Sequence, residues 1–292
     1  MSKSLATRIA PTPSGYLHVG NALNFILTWW VAKHNNAKIH LRIDDADFTR
    51  CRDEFLDDIF YGLDWLGIEW DKGPKDVQDF KNNHSQTKKL DRYFDEICDP
   101  NLFFSCECTR KEVANSLNGL YPGTCESKRI EFKKNLCSKR VKLIGETTIE
   151  VEQSKIDLAG QMGNFVVWRK DGVPSYQLTS VLDDLDMGVN LIVRGQDLIE
   201  SSAAQIYLAR ILGMQHLDKA KFIHHPLVKD KTGQKISKGT MTGVNELHLK
   251  RMREKGIDPA HILREYSDFF GLEKGFDGKL SELLRIKPPF SL

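Results

Sequence analysis

Residues 8–21, RIAPTPSGYLHVGN, are the stretch that decides the fold. The apolar run at residues 4–10 predicts a short buried strand. Pro11 and Pro13 end that strand, because a proline nitrogen cannot donate to a strand ladder. Gly15 then allows a tight turn, so a helix can start directly behind the strand. The stretch therefore predicts a strand, a turn and a helix in close succession.

The start of this helix predicts a binding site for an anion. Apolar periodicity predicts the helix from about Gly20 to Lys33, and the first N–H groups of a helix have no partner within it. Such groups attract phosphates and carboxylates. His18 lies two residues before Gly20, whose missing side chain leaves room for a ligand to approach the backbone. The pattern indicates a nucleotide pocket.

The composition is that of an ordinary globular protein. Apolar residues make up 40% of the 292 residues, which is enough for one large domain with an insertion, or for two domains. The longest apolar run, residues 22–32, is too short to cross a bilayer. We find no signal segment before it, so we expect a cytoplasmic location and no membrane partner. The net charge of +2 neither requires nor excludes a nucleic-acid partner.

Charged residues follow two further predicted strands. Residues 37–43 alternate as a strand does and deliver Asp44, Asp45 and Asp47 at its carboxyl end. Ligands collect at that edge of open α/β sheets. The aspartates form either a solvated turn with a helix cap, or a site in which one carboxylate receives a ligand ammonium, and spacing alone leaves both open. Residues 191–197 repeat the pattern of an apolar strand with charges at its tip.

Four more segments complete the predicted elements. Residues 50–66 carry apolar residues at helical spacing, and residues 78–98 predict a second, more polar helix. Residues 174–184 predict helix or strand and end in a double carboxylate. Two lysines three residues apart in a glycine-flanked loop, residues 229–239, predict an electrostatic clamp for a polyphosphate.

The cysteines suggest a metal site. A disulfide framework is not expected in a cytosolic chain, so metal binding or plain burial remains. Cys106 and Cys108 can chelate from a single turn, and Cys125 follows 17 residues later, which is a zinc signal. Unrelated buried thiols are the alternative. The spacing leaves the fourth ligand open among Cys137, Tyr121 and His84.

A basic segment is the strongest local candidate for contact with a nucleic acid. Residues 128–142 contain seven lysines and arginines. Such a patch can follow a phosphate backbone. A solvated helix face explains it equally well.

Two motifs resemble the paired signatures of class I aminoacyl-tRNA synthetases. HVGN, residues 18–21, is similar to the HIGH signature, and KISK, residues 235–238, is similar to KMSKS. Three further patterns, RxAPxPSG from residue 8, LRIDDAD from residue 41 and RGxD from residue 194, narrow the resemblance to the glutamyl subclass. The resemblance covers residues 5 to about 240.

The resemblance implies an α/β fold and a domain plan. It implies a Rossmann-like parallel-sheet catalytic domain formed by residues 1–98 and 176–240. Residues 99–175 would form a zinc-containing insertion that binds the acceptor. Residues 241–292 would form a short helical tail without an anticodon-binding domain.

The number of residues after the second signature distinguishes two groups of synthetases within the glutamyl subclass. A full glutamyl-tRNA synthetase has a large helical region there, whereas about fifty residues follow Lys238 here. The chain thus resembles the glutamyl-queuosine tRNA(Asp) synthetases, short paralogues that attach glutamate to the queuosine base of tRNA(Asp). The alternatives are a truncated glutamyl-tRNA synthetase that charges the 3′ end of tRNA(Glu), and an inactive RNA-binding paralogue. Intact His18, Lys238, Arg8 and Arg194 argue against the inactive form.

The resemblance also implies the site residues and partners. The implied partners are L-glutamate, ATP with Mg²⁺, and tRNA(Asp) bearing queuosine, and we expect a monomer. The implied catalytic residues are His18 and Lys238. The ATP site would comprise His18, Gly20, Asn21, Lys235, Ser237 and Lys238. The glutamate site would comprise Arg8, Ala10, Pro11, Thr12, Asp44, Tyr176 and Arg194. One structural zinc would be held by Cys106, Cys108, Tyr121 and Cys125.

The implied roles agree with the chemistry of these side chains. Arg8 would bind a glutamate carboxylate through two parallel N–H donors, a geometry that only a guanidinium offers. Lys238 would stabilise the charge that spreads to pyrophosphate as the glutamate α-carboxylate attacks the α-phosphate. The chain departs from the family at Asp44, where a glutamate is usual. The shorter side chain must reach the ammonium through a shifted backbone or a water.

Overall fold

The computed structural model of the chain describes residues 4–227, 248–273 and 275–290. Lys235, Ser237 and Lys238 lie outside the described residues, so the second half of the implied ATP site stays a prediction. Within the described part, no helix is both long and apolar enough to cross a membrane.

Strands and helices alternate over residues 6–65 and 176–225, and five short strands lie between these two regions within the described part of the chain. The strands are β1 Ala6–Ile9, β2 Lys38–Leu41, β3 Phe103–Cys106, β4 Ser138–Val141, β5 Thr148–Val151, β6 Ser154–Asp157, β7 Val166–Trp168, β8 Leu191–Gly195 and β9 Lys221–His225. The α-helices are α1 Val19–His34, α2 Asp53–Trp65, α3 Val77–Asp79, α4 Leu90–Asp95, α5 Arg110–Ala114, α6 Leu158–Gln161, α7 Tyr176–Asp186, α8 Ile199–Ile211, α9 Leu249–Glu254 and α10 Ala260–Glu265.

Two pairs of parallel strands carry charged residues of the candidate site. Strand β1 pairs with β2, and β8 pairs with β9, both in parallel. Asn190 joins the pairs, because its N–H donates to the Ala6 carbonyl at 3.0 Å and its Oδ1 accepts from the Ala6 N–H at 2.8 Å. The strands β1 and β8 therefore begin side by side. Their charged residues come close to one helix, α7, as described below.

Helix α1 is the centre of the larger hydrophobic core. The predicted helix is confirmed to within one residue at each end, and residues from Val19 to Ala32 along it are largely buried. The helix packs on β1 and β8. Trp30 is fully buried, and its indole N–H donates to the Ile286 carbonyl at 3.1 Å, which holds the end of the chain against the helix.

The prediction of one helix over residues 78–98 is wrong. The chain instead forms α3, a π-helical turn Phe80–His84, a 3₁₀ turn Gln86–Lys89 and α4, with Ser85 extended between the two turns. The break has a tertiary cause. The Ser85 hydroxyl and the Gln86 N–H both donate to the Asp45 carboxylate, which draws this segment onto the tip of β2. Helical periodicity does not reveal such a contact.

Residues 103–168 contain the antiparallel sheets. Strands β3, β4 and β7 make one sheet, and β5 and β6 make a hairpin. Glu152 at the hairpin turn accepts from the His224 N–H at 3.1 Å and bonds its Nδ1 at 2.9 Å. The other ring nitrogen of His224 bonds the Ser202 hydroxyl at 2.7 Å. The hairpin is thereby fixed to β9 and α8.

Candidate active site and metal centre

A buried ionic network lies where β1, β2 and α7 meet. Asp184 of α7 is 1% exposed and accepts from Arg8 Nε at 3.2 Å and from Arg42 Nη1 at 2.6 Å. A buried carboxylate that is shared by two guanidinium groups fixes both of them in place. Arg8 uses Nε for this bond, and no hydrogen bond of its Nη1 or Nη2 is found among the described residues. The contact of Arg8 with a substrate carboxylate stays a prediction.

Asp44, the implied ligand of the substrate ammonium, is held by two neighbours. Arg42 donates to it from Nε at 2.7 Å and from Nη2 at 3.2 Å, and Gln86 Nε2 lies 3.3 Å from it. Burial raises the pKa of Asp44, and the attraction of Arg42 only partly opposes that rise. The carboxylate is rigidly oriented by these bonds. Its contact with an ammonium stays a prediction.

Sequence reasoning missed Arg42 and the partners of Asp183. Arg42 stands in the motif that carried the resemblance, but no role followed from its position. Asp183 is fully buried and accepts from Gln86 Nε2 at 2.8 Å, Lys89 Nζ at 2.9 Å and the Tyr93 hydroxyl at 2.8 Å. Burial acts to raise the pKa of Asp183, but Arg42 and Lys89 outweigh it and hold that pKa below its usual value. The double carboxylate was the only sequence signal for this network.

Arg194 is buried and has donors without a partner among the described residues. It is 3% exposed, and its Nη1 donates to the Tyr176 hydroxyl at 3.3 Å and to Gln205 Oε1 at 2.9 Å. Its Nε and Nη2 have no partner among the described residues. The guanidinium lies 5.5 Å from the Phe222 ring centroid. Buried donors are nearly always satisfied, so this geometry suits an anionic ligand.

Neighbouring arginines shift the pKa values of the groups in the implied glutamate pocket, which contains Arg8, Tyr176 and Arg194. Burial lowers the pKa of Arg194, and the nearby positive charge of Arg8 acts in the same direction. Burial acts to raise the pKa of Tyr176, but the charges of Arg194, Arg8 and Arg42 hold it below its ordinary value. A bound carboxylate would relieve this crowding of like charges. The pocket thus favours a small molecule with a negative group.

The start of α1 has the geometry of a capped helix. His18 Nδ1 accepts from the Asn21 N–H at 3.3 Å, and Asn21 Oδ1 accepts from the His18 N–H at 3.0 Å. Because Nδ1 accepts this bond, the proton of the neutral ring lies on Nε2, which can donate to a phosphate oxygen. His18 is therefore the N-cap residue, and Asn21 completes a capping box from the third helical position, roles that the sequence did not assign. The ATP contacts of His18, Gly20 and Asn21 stay predictions.

The loop after β1 is held against the tip of β2. The Asp44 N–H donates to the Pro11 carbonyl at 2.8 Å, and the Ser14 N–H donates to the Thr12 carbonyl at 2.9 Å. Ala10 stands directly after β1. Pro11 of the implied glutamate site thus lies beside Asp44, and the contacts of residues 10–12 with glutamate stay predictions.

Each of the three aspartates at the tip of β2 has its own partner. Asp44 binds Arg42, Asp45 binds the residues around Ser85, and Asp47 accepts from Arg169 Nη1 at 2.7 Å. Burial acts to raise the pKa of Asp47, but hydrogen bonds from Thr49 and Arg169 and the charge of Arg169 lower it to about 2. The carboxyl end of β2 therefore connects the antiparallel region to the candidate site through the bond between Arg169 and Asp47.

Three of the cysteines form a cluster that can hold a metal ion. The Sγ atoms of Cys106, Cys108 and Cys125 all lie within 4.8 Å of one another. The Tyr121 hydroxyl accepts from the Cys125 N–H at 2.6 Å and so stands at the edge of this cluster. Burial and the neighbouring thiols raise the pKa of Cys108 to about 11. Burial acts to raise the pKa of Cys125 as well, but hydrogen bonds from the backbone and from neighbouring side chains hold it below its ordinary value.

The other two candidates for the fourth ligand are engaged elsewhere. Cys137 Sγ contacts the Glu131 carbonyl at 3.7 Å, and His84 Nε2 lies 3.7 Å from an Asp79 carboxylate oxygen. The spacing of the cysteines had left this choice open. Folding brings Tyr121 beside the thiols because Phe104 and Tyr121 pack in the same small hydrophobic cluster as Cys106 and Cys125.

Comparisons with known proteins identify relatives of this chain. Residues 4–274 match the family model described as tRNA synthetases class I (E and Q), catalytic domain. The Glutamyl-Q tRNA(Asp) synthetase of Nitratidesulfovibrio vulgaris is 32% identical, over 87% of this chain and 83% of that protein. The glutamate–tRNA ligase of Buchnera aphidicola is 30% identical over 98% of this chain, which spans only 61% of that ligase.

A solved structure has the same fold. The glutamate–tRNA synthetase of Elizabethkingia anophelis superposes with a TM-score of 0.70 at 21% identity, over 97% of this chain and 65% of that protein. The predicted α/β fold with parallel strands is thereby confirmed. Because the family model matches more than half of the sequence, the chain belongs to the class I tRNA synthetases (E and Q), whose catalytic domain spans its residues 4–274.

Proposed function

We propose that this protein activates L-glutamate with ATP and transfers the glutamate to the queuosine base of tRNA(Asp). The main support for the proposal is the buried guanidinium of Arg194, which lies beside Tyr176 and near Arg8. Two of its nitrogens have no partner among the described residues. Glutamate offers two carboxylates to such a pocket. The relative named Glutamyl-Q tRNA(Asp) synthetase supports the choice of acceptor.

The chemistry assigns separate tasks to the residues of the pocket. Arg8 and Arg194 bind glutamate through charge-assisted hydrogen bonds, and Asp184 keeps Arg8 in position. Asp44 receives the ammonium group. His18 donates from Nε2 to a phosphate of ATP at the start of α1, and Lys238 completes the phosphate clamp, as expected from the sequence.

The proposed reaction has two steps and no covalent enzyme intermediate. The α-carboxylate of glutamate attacks the α-phosphate of ATP, and pyrophosphate leaves. A hydroxyl of queuosine then attacks the carbonyl carbon of glutamyl-adenylate, and AMP leaves with the electron pair of the broken bond. Mg²⁺ as the companion of ATP, a monomeric state and a cytoplasmic location stay predictions from the sequence.

A second acceptor has its own support. The ligase relative is 30% identical over 98% of this chain, which is compatible with charging the 3′ end of tRNA(Glu). Both reactions share the activation of glutamate and differ only in the nucleophile of the second step. The inactive paralogue is the third possibility. Glutamate-dependent pyrophosphate exchange separates it from both enzymes.

Labelled glutamate tests the acceptor directly. The protein is incubated with ATP, labelled glutamate and one of three RNAs: tRNA(Asp) with queuosine, tRNA(Asp) without it, or tRNA(Glu). We expect label only on tRNA(Asp) with queuosine. Equal labelling of both forms of tRNA(Asp) would contradict the proposal, and label on tRNA(Glu) alone would establish the second acceptor.

We also propose that Cys106, Cys108, Tyr121 and Cys125 hold one zinc ion. Three sulfur ligands within one small cluster suit zinc, and a phenol oxygen can complete the tetrahedron. With four protein ligands no position is left for water or substrate, so the ion would have a structural role. It would stabilise the thiolate of Cys108, whose pKa is raised by burial.

Removal of one thiol is expected to release the metal. Protein purified without chelators should contain about one zinc per chain, and Cys106→Ser should lose it, as measured by elemental analysis. Cys98→Ser is the matched control, because Cys98 is exposed and outside the cluster. Tyr121→Phe should weaken zinc binding if the hydroxyl is the fourth ligand. Retention of zinc by Cys106→Ser would contradict the assignment.

A further inference from the structure

Gln86 lies at the carboxyl end of β2, in the segment where the predicted helix breaks. It is 1% exposed and follows Ser85, whose backbone is extended. Its backbone N–H donates to Asp45 Oδ1 at 2.7 Å. The side chain of Gln86 therefore extends into the charged network of the candidate site from a fixed point of the backbone.

Both polar atoms of the Gln86 amide have partners. Its Nε2 lies 2.8 Å from Asp183 Oδ2 and 3.3 Å from Asp44 Oδ1, so each of the two protons on this nitrogen has a carboxylate as its acceptor. Its Oε1 accepts from the Ala46 N–H at 3.0 Å. A primary amide donates twice and accepts at its other atom, which this place requires. A carboxylate here would face two other carboxylates.

The amide joins Asp44 to helix α7. Asp183 of α7 is fully buried, and it also accepts from Lys89 Nζ at 2.9 Å and from the Tyr93 hydroxyl at 2.8 Å. These bonds fix Asp183 in the fold. Because Gln86 bonds Asp183 and Asp44 through the same nitrogen, the position of Asp44 depends on helix α7.

Gln86 restrains Asp44 in a way that Arg42 does not. Arg42 donates to both carboxylate oxygens of Asp44 and, from Nη1, to Asp184. Gln86 adds a bond to the Asp44 carboxylate from a different element, and its bond to the Ala46 N–H holds the backbone two residues further along. The side chain and the backbone around Asp44 are thus both held by one residue.

We propose that Gln86 is a positioning residue for the binding of the substrate ammonium group. It acts through Asp44, whose carboxylate it holds between Arg42 and α7. A ligand-binding side chain that is already oriented loses less freedom when the ligand binds, so its bonds contribute more to affinity. The inference rests on the proposed function, because it takes Asp44 as the ligand of the ammonium group.

The variant Gln86→Met tests this role, because methionine fills a similar volume but offers no amide. We expect the KM for glutamate in pyrophosphate exchange to rise by roughly 3- to 10-fold, the effect of losing about one hydrogen bond, and the KM for ATP to stay the same. Glutarate is the diagnostic probe, since it has both carboxylates of glutamate and lacks the ammonium group. Its inhibition constant against glutamate should be equal in the variant and the unmodified protein.

Two further variants complete the experiment. Gln78→Met is the matched control, because Gln78 is exposed and its Nε2 donates only to Asn82 Oδ1, at 3.0 Å, among the described residues. It should leave every constant unchanged. Gln86→Asn keeps the amide but is one methylene too short to reach both carboxylates and Ala46 together. We expect the same rise in the KM for glutamate, and this variant replaces Gln86→Met if the methionine protein does not fold.

The results separate a failure of this inference from a failure of the proposed function. If the unmodified protein exchanges pyrophosphate and both Gln86 variants keep its KM for glutamate, the role of Gln86 is overturned and the proposed function stands. An equal loss of affinity for glutamate and glutarate would also overturn it, because the damage would then not concern the ammonium group. Absence of exchange in the unmodified protein would defeat the proposed function. Calorimetric titration with glutamate and glutarate then tests Gln86 without the reaction, and only glutamate binding should weaken in Gln86→Met.

Discussion

Replacement of Arg194 by methionine is expected to lower kcat/KM for glutamate in pyrophosphate exchange by roughly 100- to 1000-fold. The variant loses the charge-assisted hydrogen bonds to the substrate carboxylate, each of which is worth about 1.5–3 kcal/mol. Methionine fills much of the same volume, so the pocket should not collapse. The KM for ATP should change little, because Arg194 lies in the implied glutamate site.

The same variant should not destabilise the protein. In the structure, Arg194 is a buried cation with two nitrogens unpartnered among the described residues, and burial lowers its pKa. Removing the charge relieves an unfavourable desolvation, whereas losing the bonds to Tyr176 and Gln205 acts in the opposite direction, so we expect the melting temperature to change little. Loss of activity without loss of stability is the signature of a binding residue rather than a structural one.

Arg210→Met is the matched control for this experiment. Arg210 lies on the neighbouring helix α8, and its Nε donates to Asp218 at 2.6 Å in a surface ion pair. Exposed pairs contribute little to stability, and this one lies outside the pocket. Exchange should therefore be unaffected. If Arg194→Met kept exchange within a few-fold of the unmodified protein, the glutamate pocket would be wrongly assigned.

Replacement of Asp184 by asparagine is expected to lower the free energy of unfolding by roughly 3–5 kcal/mol, because it removes the buried counter-charge that Arg8 and Arg42 share and leaves Arg42 with Asp44 alone. Asp184 accepts from Arg8 at 3.2 Å and from Arg42 at 2.6 Å in a place that is almost fully excluded from water. Asparagine has nearly the same shape as aspartate, so the variant measures the effect of losing the negative charge. Urea denaturation measures the effect.

Asp186→Asn on the same helix is the control. Asp186 pairs with Arg92, but both side chains are more than a third exposed, so the pair is screened by water. We expect a loss of less than about 1 kcal/mol for this variant. Similar losses for the two variants would show that the buried network does not have the structural role assigned to it.

The sequence predicted the local elements of the candidate site. The strand, turn and helix at residues 8–21 are found almost where periodicity and the prolines placed them. Cys106, Cys108 and Cys125 are brought together as their spacing indicated. These features depend on residues that are close in the chain, where period, caps and breakers act directly.

Only the tertiary structure decided how the charged residues pair. Asp184 is 142 residues from Arg42 and 176 residues from Arg8, so no local pattern connects them. The same reason explains the error at Ser85, where a contact with Asp45 forty residues away breaks a predicted helix. The choice of Tyr121 beside the thiols likewise came from packing.

The sequence by itself thus determined which groups of this protein can bind anions, ammonium and metal, because that follows from side-chain chemistry and short-range spacing. The tertiary structure decided which of them are engaged with each other. Arg42 and Asp184 hold the site together, whereas Arg194 keeps donors without partners among the described residues. Burial makes this difference decisive, because a charge removed from water must find a partner in the fold or in a ligand.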